Sequence, residues 1–124
     1  MAKFDFEKLR KHTEYTLNYE LVDVATKDKV EFDIEPTMKD RTKFMELVSK
    51  SNVKPDQIVE WFAELALRGE EATPDSEALF KDFALAHYGE IQVQTMIGFK
   101  LTTKEELDAR IESLTDKLVE KNLQ

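Results

Sequence analysis

Hydrophobic residues along this chain switch between two periods, and the switches mark the elements. From Glu14 the period is two: Tyr15, Leu17, Tyr19 and Leu21 fall on one side, and Thr16, Asn18 and Glu20 on the other. That alternation predicts a half-buried strand. Val22 and Val24 fall on the opposite phase, which predicts a bulge or twist near Leu21. The polar run Ala25-Thr26-Lys27-Asp28-Lys29 reads as a turn. Val30, Phe32 and Ile34 then alternate with Glu31, Asp33 and Glu35 until Pro36 ends a second strand. The two strands predict an antiparallel hairpin over 14–35. A lone hairpin is marginal in water, so its apolar face is expected on helices.

Beyond Pro36 the period lengthens. Thr37 is a candidate N-cap for a helix over 38–51, with Asp40 in its first turn. Phe44, Leu47 and Val48 face inward there, helped by Met38, Met45 and Val53. The stretch from Pro55 to Tyr88 gathers most of the aromatic and apolar bulk. PDQIVEWFAELALRG and TPDSEALFKDFALAHYG each carry proline near the first turn and close at a glycine, predicting helices over 55–68 and 74–88. Ile58, Phe62 and Leu65, flanked by Val59 and Ala66, form one apolar stripe. Leu79, Phe80, Phe83 and Ala84 form the other, and the two stripes are expected to bury against each other as core. Trp61 lies about 100° round the first helix from Phe62. It is expected to be partly exposed, as an interface anchor or as boundary packing.

Residues 90–101 fit two patterns. Val93, Met96 and Ile97 predict a helix over 90–97 ending near Gly98, whereas 91, 93 and 97, 99, 101 suit strands. The last segment is clearer. Thr103 with Glu106 makes a capping box, Thr102 with Glu105 offers the alternative register, and the helix is expected over 103–121. Glu106 and Arg110 stand in the favoured order for an ion pair. Leu107, Ile111, Leu114 and Leu118 form a narrow seam suited to one neighbour, either the domain's own core or another copy of the chain as a homo-oligomer. Residues 1–13 combine Phe4, Phe6 and Leu9 with Lys3, Lys8, Arg10 and Lys11, and read as an arm or short helix. The fold class expected is therefore α+β and predominantly α-helical. An N-terminal antiparallel hairpin packs on four to five helices within a single domain over 14–124.

Composition narrows the function classes. At 124 residues the chain suits one domain with a real core. Its 26 acidic against 18 basic residues give a net charge of −8, which disfavours nucleic acid and anionic membranes as partners. No window approaches the roughly 18 consecutive apolar residues of a membrane span. MAKFDFEKLRKH lacks the apolar run of a secretory signal, so a cytoplasmic location is expected. Cysteine is absent, which excludes disulfides, thiol catalysis and thiolate metal sites.

Candidate chemistry is sparse. His12 and His87 are the only histidines, and His87 near a helix C-terminus reads as a favourable dipole partner. Asp5 with Glu7, Glu70 with Glu71 and Glu105 with Glu106 read as solvated charge or helix-start signals. Gly69, Gly89 and Gly98 form no phosphate-cradling cluster. No catalytic, metal-binding or cofactor-binding residue is expected, and the chain is read as a non-enzyme.

The strand pair YTLNYELVDV and KVEFDIEPTMKD, the helix-rich middle and the ending GEIQVQTMIGFKLTTKEELDARI resemble the small tail assembly chaperones of long-tailed phages and related archaeal viruses. The resemblance spans about 15–111. It implies a non-enzymatic protein that coats the helical tape measure protein before the tail tube polymerises, recruits tail tube subunits and is absent from the finished particle. A longer product made by programmed frameshifting often does the recruiting in that family. Such a role suits covering an amphipathic helix, because its apolar face aggregates when bare. Trp61, Phe99, Leu107, Ile111, Leu114 and Leu118 are the candidate protein-contact residues, chosen by expected exposure. Two other classes compete. One is an acidic inhibitor mimicking nucleic acid, which requires one-sided negative surface. The other is a structural head–tail connector or tail completion protein, which persists in purified particles.

Overall fold

The computed structural model describes residues 4–110. A short helix α1 (Phe6–Lys11) precedes the strands β1 (Leu17–Val22) and β2 (Lys29–Ile34). Helices α2 (Met38–Ser49), α3 (Pro55–Ala66), α4 (Pro74–Ala86) and α5 (Tyr88–Gly98) follow. Residues 104–110 are helical again and are labelled α6. The fold is thus α+β and predominantly helical, with an N-terminal antiparallel hairpin. Among the described residues no helix is long and apolar enough to cross a membrane.

The hairpin pairs without interruption from Leu17 opposite Ile34 to Val22 opposite Lys29. Directly opposed residues share a face, so Leu17, Tyr19 and Leu21 lie on one side with Ile34, Phe32 and Val30, although Val30, beside the turn, is exposed. The three β1 residues are fully buried, while Phe32 and Ile34 pack on the core from a half-buried position. The expected bulge near Leu21 is absent. Val22 simply closes the ladder on the outward face, and Val24 lies exposed in the turn, so the phase change marks the end of pairing. That turn is held by Asp23, whose carboxylate accepts from the N–H groups of Ala25 and Thr26 at 2.9 and 3.0 Å. These bonds, that from Thr26 first, hold the Asp23 carboxyl below its ordinary range.

Helix α3 is the centre of the molecule. It packs against α2, α4 and α5, and its Phe62 ring meets the hairpin's Tyr19 edge-on at 5.0 Å and Phe80 of α4 in a stack at 5.6 Å. A helix with neighbours on several sides buries more than one stripe: Ile58, Val59, Trp61, Phe62, Ala63 and Leu65 are all buried. Helix α4 lies at the edge. Phe80 and Phe83 are half-buried and Ala84 fully, but Leu79, expected inward, is 69% exposed because a peripheral helix covers only a narrow stripe. Met38 and Met45 likewise point outward, leaving Phe44 as the fully buried anchor of α2 with Leu47 and Val48 beside it.

One carboxylate locks α2 to α3. Thr37 and Asp40 form a reciprocal capping box, with the Asp40 carboxylate accepting from the Thr37 N–H at 2.8 Å. The same carboxylate accepts two bonds from the Arg68 guanidinium, at 2.8 and 3.1 Å. Its backbone carbonyl accepts the Trp61 indole N–H at 3.2 Å. Arg68 hydrogen bonding outweighs desolvation and lowers the Asp40 pKa to about 2.

Helix α5 starts two residues before the expected position 90 and ends at Gly98, as expected. His87 is at once the C-cap of α4 and the N-cap of α5, so the chain bends there at an ordinary φ of −110° and Gly89 becomes helical rather than a stop. At the far end Lys100 (φ 59°) takes the left-handed position. Lys100 N–H donates to Ile97 and Leu101 N–H to Met96, both at 3.0 Å, completing a Schellman cap. Glycine sits two residues earlier for another reason. A Cβ on Gly98 would stand 2.6 Å from Leu17 Cδ2 and 3.2 Å from the Thr16 carbonyl, so only glycine lets α5 approach β1 this closely.

Candidate partner-binding groove

Hairpin, α5 and α6 together enclose an open cleft of about 800 Å³. Its first wall is the outward face of the hairpin, where Asn18 opposes Asp33 and Glu20 opposes Glu31. Opposed like charges repel across a ladder. Lys29 relieves the Glu20–Glu31 clash by placing its ammonium 2.8 Å from Glu20 and 3.2 Å from Glu31. Hydrogen bonding to Glu20, then to Glu31, raises the lysine's pKa. Being solvent-exposed, this bridge adds little stability. Three carboxylates to one ammonium leave the wall negative.

The second wall is apolar. Val93 and Ile97 come from α5 and Leu107 from α6; Val93 is 41% exposed and the other two are half-buried. Gln94 ties the walls together. Its side-chain amide donates to the Glu20 carbonyl and accepts from the Glu20 N–H, both at 2.9 Å. Both backbone groups of one residue point away from β2 here, so a side chain satisfies the strand edge that a third strand would otherwise take. Lys104 and Asp108 stand on the α6 side. Helix α6 itself starts on Thr103, whose hydroxyl accepts from the Glu106 N–H at 3.1 Å. The Glu106 carboxylate accepts from the Thr102 hydroxyl at 3.1 Å, so the cap follows the expected Thr103–Glu106 register.

Of the expected contact residues that lie among the described residues, Leu107 alone lines this groove. Trp61 and Phe99 belong to the core instead, at 8% and 0% exposure. Trp61 was expected at a boundary because only one stripe of its helix was counted, but α2 covers that flank. Phe99 follows the end of α5 and packs within 5.7 Å of Phe44 and 6.0 Å of Trp61, centroid to centroid. Ile111, Leu114 and Leu118 lie outside the described residues. The residues that sequence reasoning missed are Val93, Gln94 and Ile97 with Glu20, Glu31 and Asp33. Their signal was present in part: the outward positions of β2 carry Glu31 and Asp33, and β1 adds Glu20.

The histidine is elsewhere. His87 stacks near Phe83 at 5.0 Å and its Nδ1 lies 3.2 Å from a Glu90 carboxylate oxygen, bracing the α4–α5 junction. Among the described residues no group of three or more His, Cys, Asp or Glu side chains is arranged to hold a metal ion. What the groove can offer is a low-cost surface for an amphipathic segment, with apolar contact on one wall and charge on the other. Comparison of the chain with protein-family models, curated proteins and solved structures finds no match.

Proposed function

We propose that this chain is a non-enzymatic assembly chaperone that covers an exposed amphipathic helix of a larger protein in the cleft between its hairpin and α5–α6. The observation that carries the reading is the two-sided groove, with Glu20, Glu31 and Asp33 on one wall and Val93, Ile97 and Leu107 on the other. A helix whose apolar stripe is edged by lysine or arginine meets both walls at once. Resemblance to the tail assembly chaperones supplies a partner of that kind. The tape measure protein is long and helical, and tail tube subunits are recruited afterwards. A net charge of −8 keeps such a loaded assembly in solution.

The test is co-expression of the tagged chain with the products of its neighbouring genes. The expected result is recovery of a long helical protein that is insoluble alone and soluble in the complex. Val93→Asp, at an exposed position, should leave the chain folded by circular dichroism and weaken that complex about tenfold or more, the cost of charge in an apolar contact. Capture of a basic nucleic-acid enzyme instead, or capture indifferent to Val93→Asp, overturns the reading.

A further inference from the structure

Among the described residues nothing covers the apolar side chains of the N-terminal arm. Phe4, Phe6 and Leu9 are 62%, 67% and 44% exposed, and α1 buries no side chain. Its six residues make too short a helix to be stable in water without packing, and two exposed phenylalanines beside a leucine form the kind of patch that marks a contact surface. The same arm is basic at its C-terminal end, with Lys8, Arg10 and Lys11 in its last turn. Glu7 engages Arg10 at 3.3 Å. Among the described residues Lys8 and Lys11 form no salt bridge, and both can meet a negative surface.

The groove is the complement of that arm. It offers an apolar wall for the rings and a carboxylate wall for the lysines, and none of its lining residues comes from the arm. Helix α1 ends at Lys11, and residues 12–16, with Tyr15 packed on Phe99, lead into β1, the strand that carries the groove-lining Asn18. Two copies facing groove to groove therefore bring both arms and both grooves to one interface. We infer that two copies of this chain exchange N-terminal arms, each seating Phe6 against Val93, Ile97 and Leu107 and Lys8 beside Glu31 and Asp33 of the other. Such an exchange closes with twofold symmetry, and forming one contact raises the effective concentration for the second. This inference rests on the groove's being an acceptor for amphipathic helices. It makes the arm the occupant that a client helix displaces.

Sedimentation velocity of the full chain over a concentration series tests it. The wild-type chain should dimerise. The arm variant Phe6→Ser/Lys8→Glu and the groove variant Val93→Asp should each raise the dimer dissociation constant at least about tenfold. Mixing the two should give a one-to-one dimer tighter than either variant's own but weaker than wild type, because only one of its two arm–groove contacts is intact. A wild-type chain that stays monomeric, variants that dimerise alone as tightly as wild type, or a mixture that associates no more than either variant alone each overturn arm exchange. Client capture by the arm variant separates the two readings. If it persists while the wild-type chain is monomeric, arm exchange fails and the chaperone role stands; if it also ignores Val93→Asp, both fail.

Discussion

Asp40 shows how much one side chain decides. It caps α2, pairs with Arg68 beyond the end of α3, and lends its carbonyl to Trp61. Asp40→Asn keeps much of the cap and loses the charge-assisted bonds, at an expected cost of about 1–2 kcal/mol, the low end for such pairs because Arg68 regains water. The pH dependence follows from the direction of the shift. Folding lowers this pKa from 3.8 to about 2. Its stabilisation is therefore complete above the ordinary aspartate range and is lost as pH falls through the folded value. Thermal melts should show the gap between wild type and Asp40→Asn closing as pH drops from about 5 to about 2. Gly98 is the second decisive residue. Gly98→Ala drives a methyl into Leu17 and the Thr16 carbonyl, and denaturant unfolding should record a loss of about 1–3 kcal/mol from overpacking. Its role could not be read from sequence, where Gly98 looked like a helix stop. Close approach between α5 and β1 is a fact about two segments far apart in the chain.

At the scale of elements, local signals were sound where the chain could satisfy them alone. Thr37, Pro55 and Pro74 mark the starts of α2, α3 and α4, and the two-residue alternation marks both strands. The helical reading of 90–97 over the strand reading is the one the structure takes, as Tyr88–Gly98. Helix ends were less legible, because an end depends on where the chain must go next. Lys100 illustrates this. A lysine holds the left-handed cap position while glycine is spent on packing at Gly98. Lys100→Gly relieves the strained φ and should raise the unfolding free energy by about 0.5–1 kcal/mol, measured by chemical denaturation. Its ammonium lies 5.6 Å from the Tyr15 ring centre, and loss of that contact pulls the gain toward the lower figure.

For the molecule as a whole, core and groove are distinct in composition and consequence. Core aromatics Phe44, Trp61, Phe62 and Phe99 set stability, whereas Val93, Glu31 and Asp33 line the groove, where the proposed role places the partner contact. Val93→Asp should accordingly change complex formation without moving the melting temperature by more than a few degrees, the response of a surface site. By itself the sequence determined the fold class, both strands, the starts of α2, α3 and α4 and most of the inward-facing residues. Periodicity and capping are properties of neighbours along the chain, and those neighbours are all in view. Only the tertiary structure decided that Trp61 and Phe99 are core, that Leu79 is surface, and that Glu20, Glu31 and Val93 share one cleft. Those outcomes depend on how many elements surround a given face, and a helix reveals a second buried side only once its neighbours are in place.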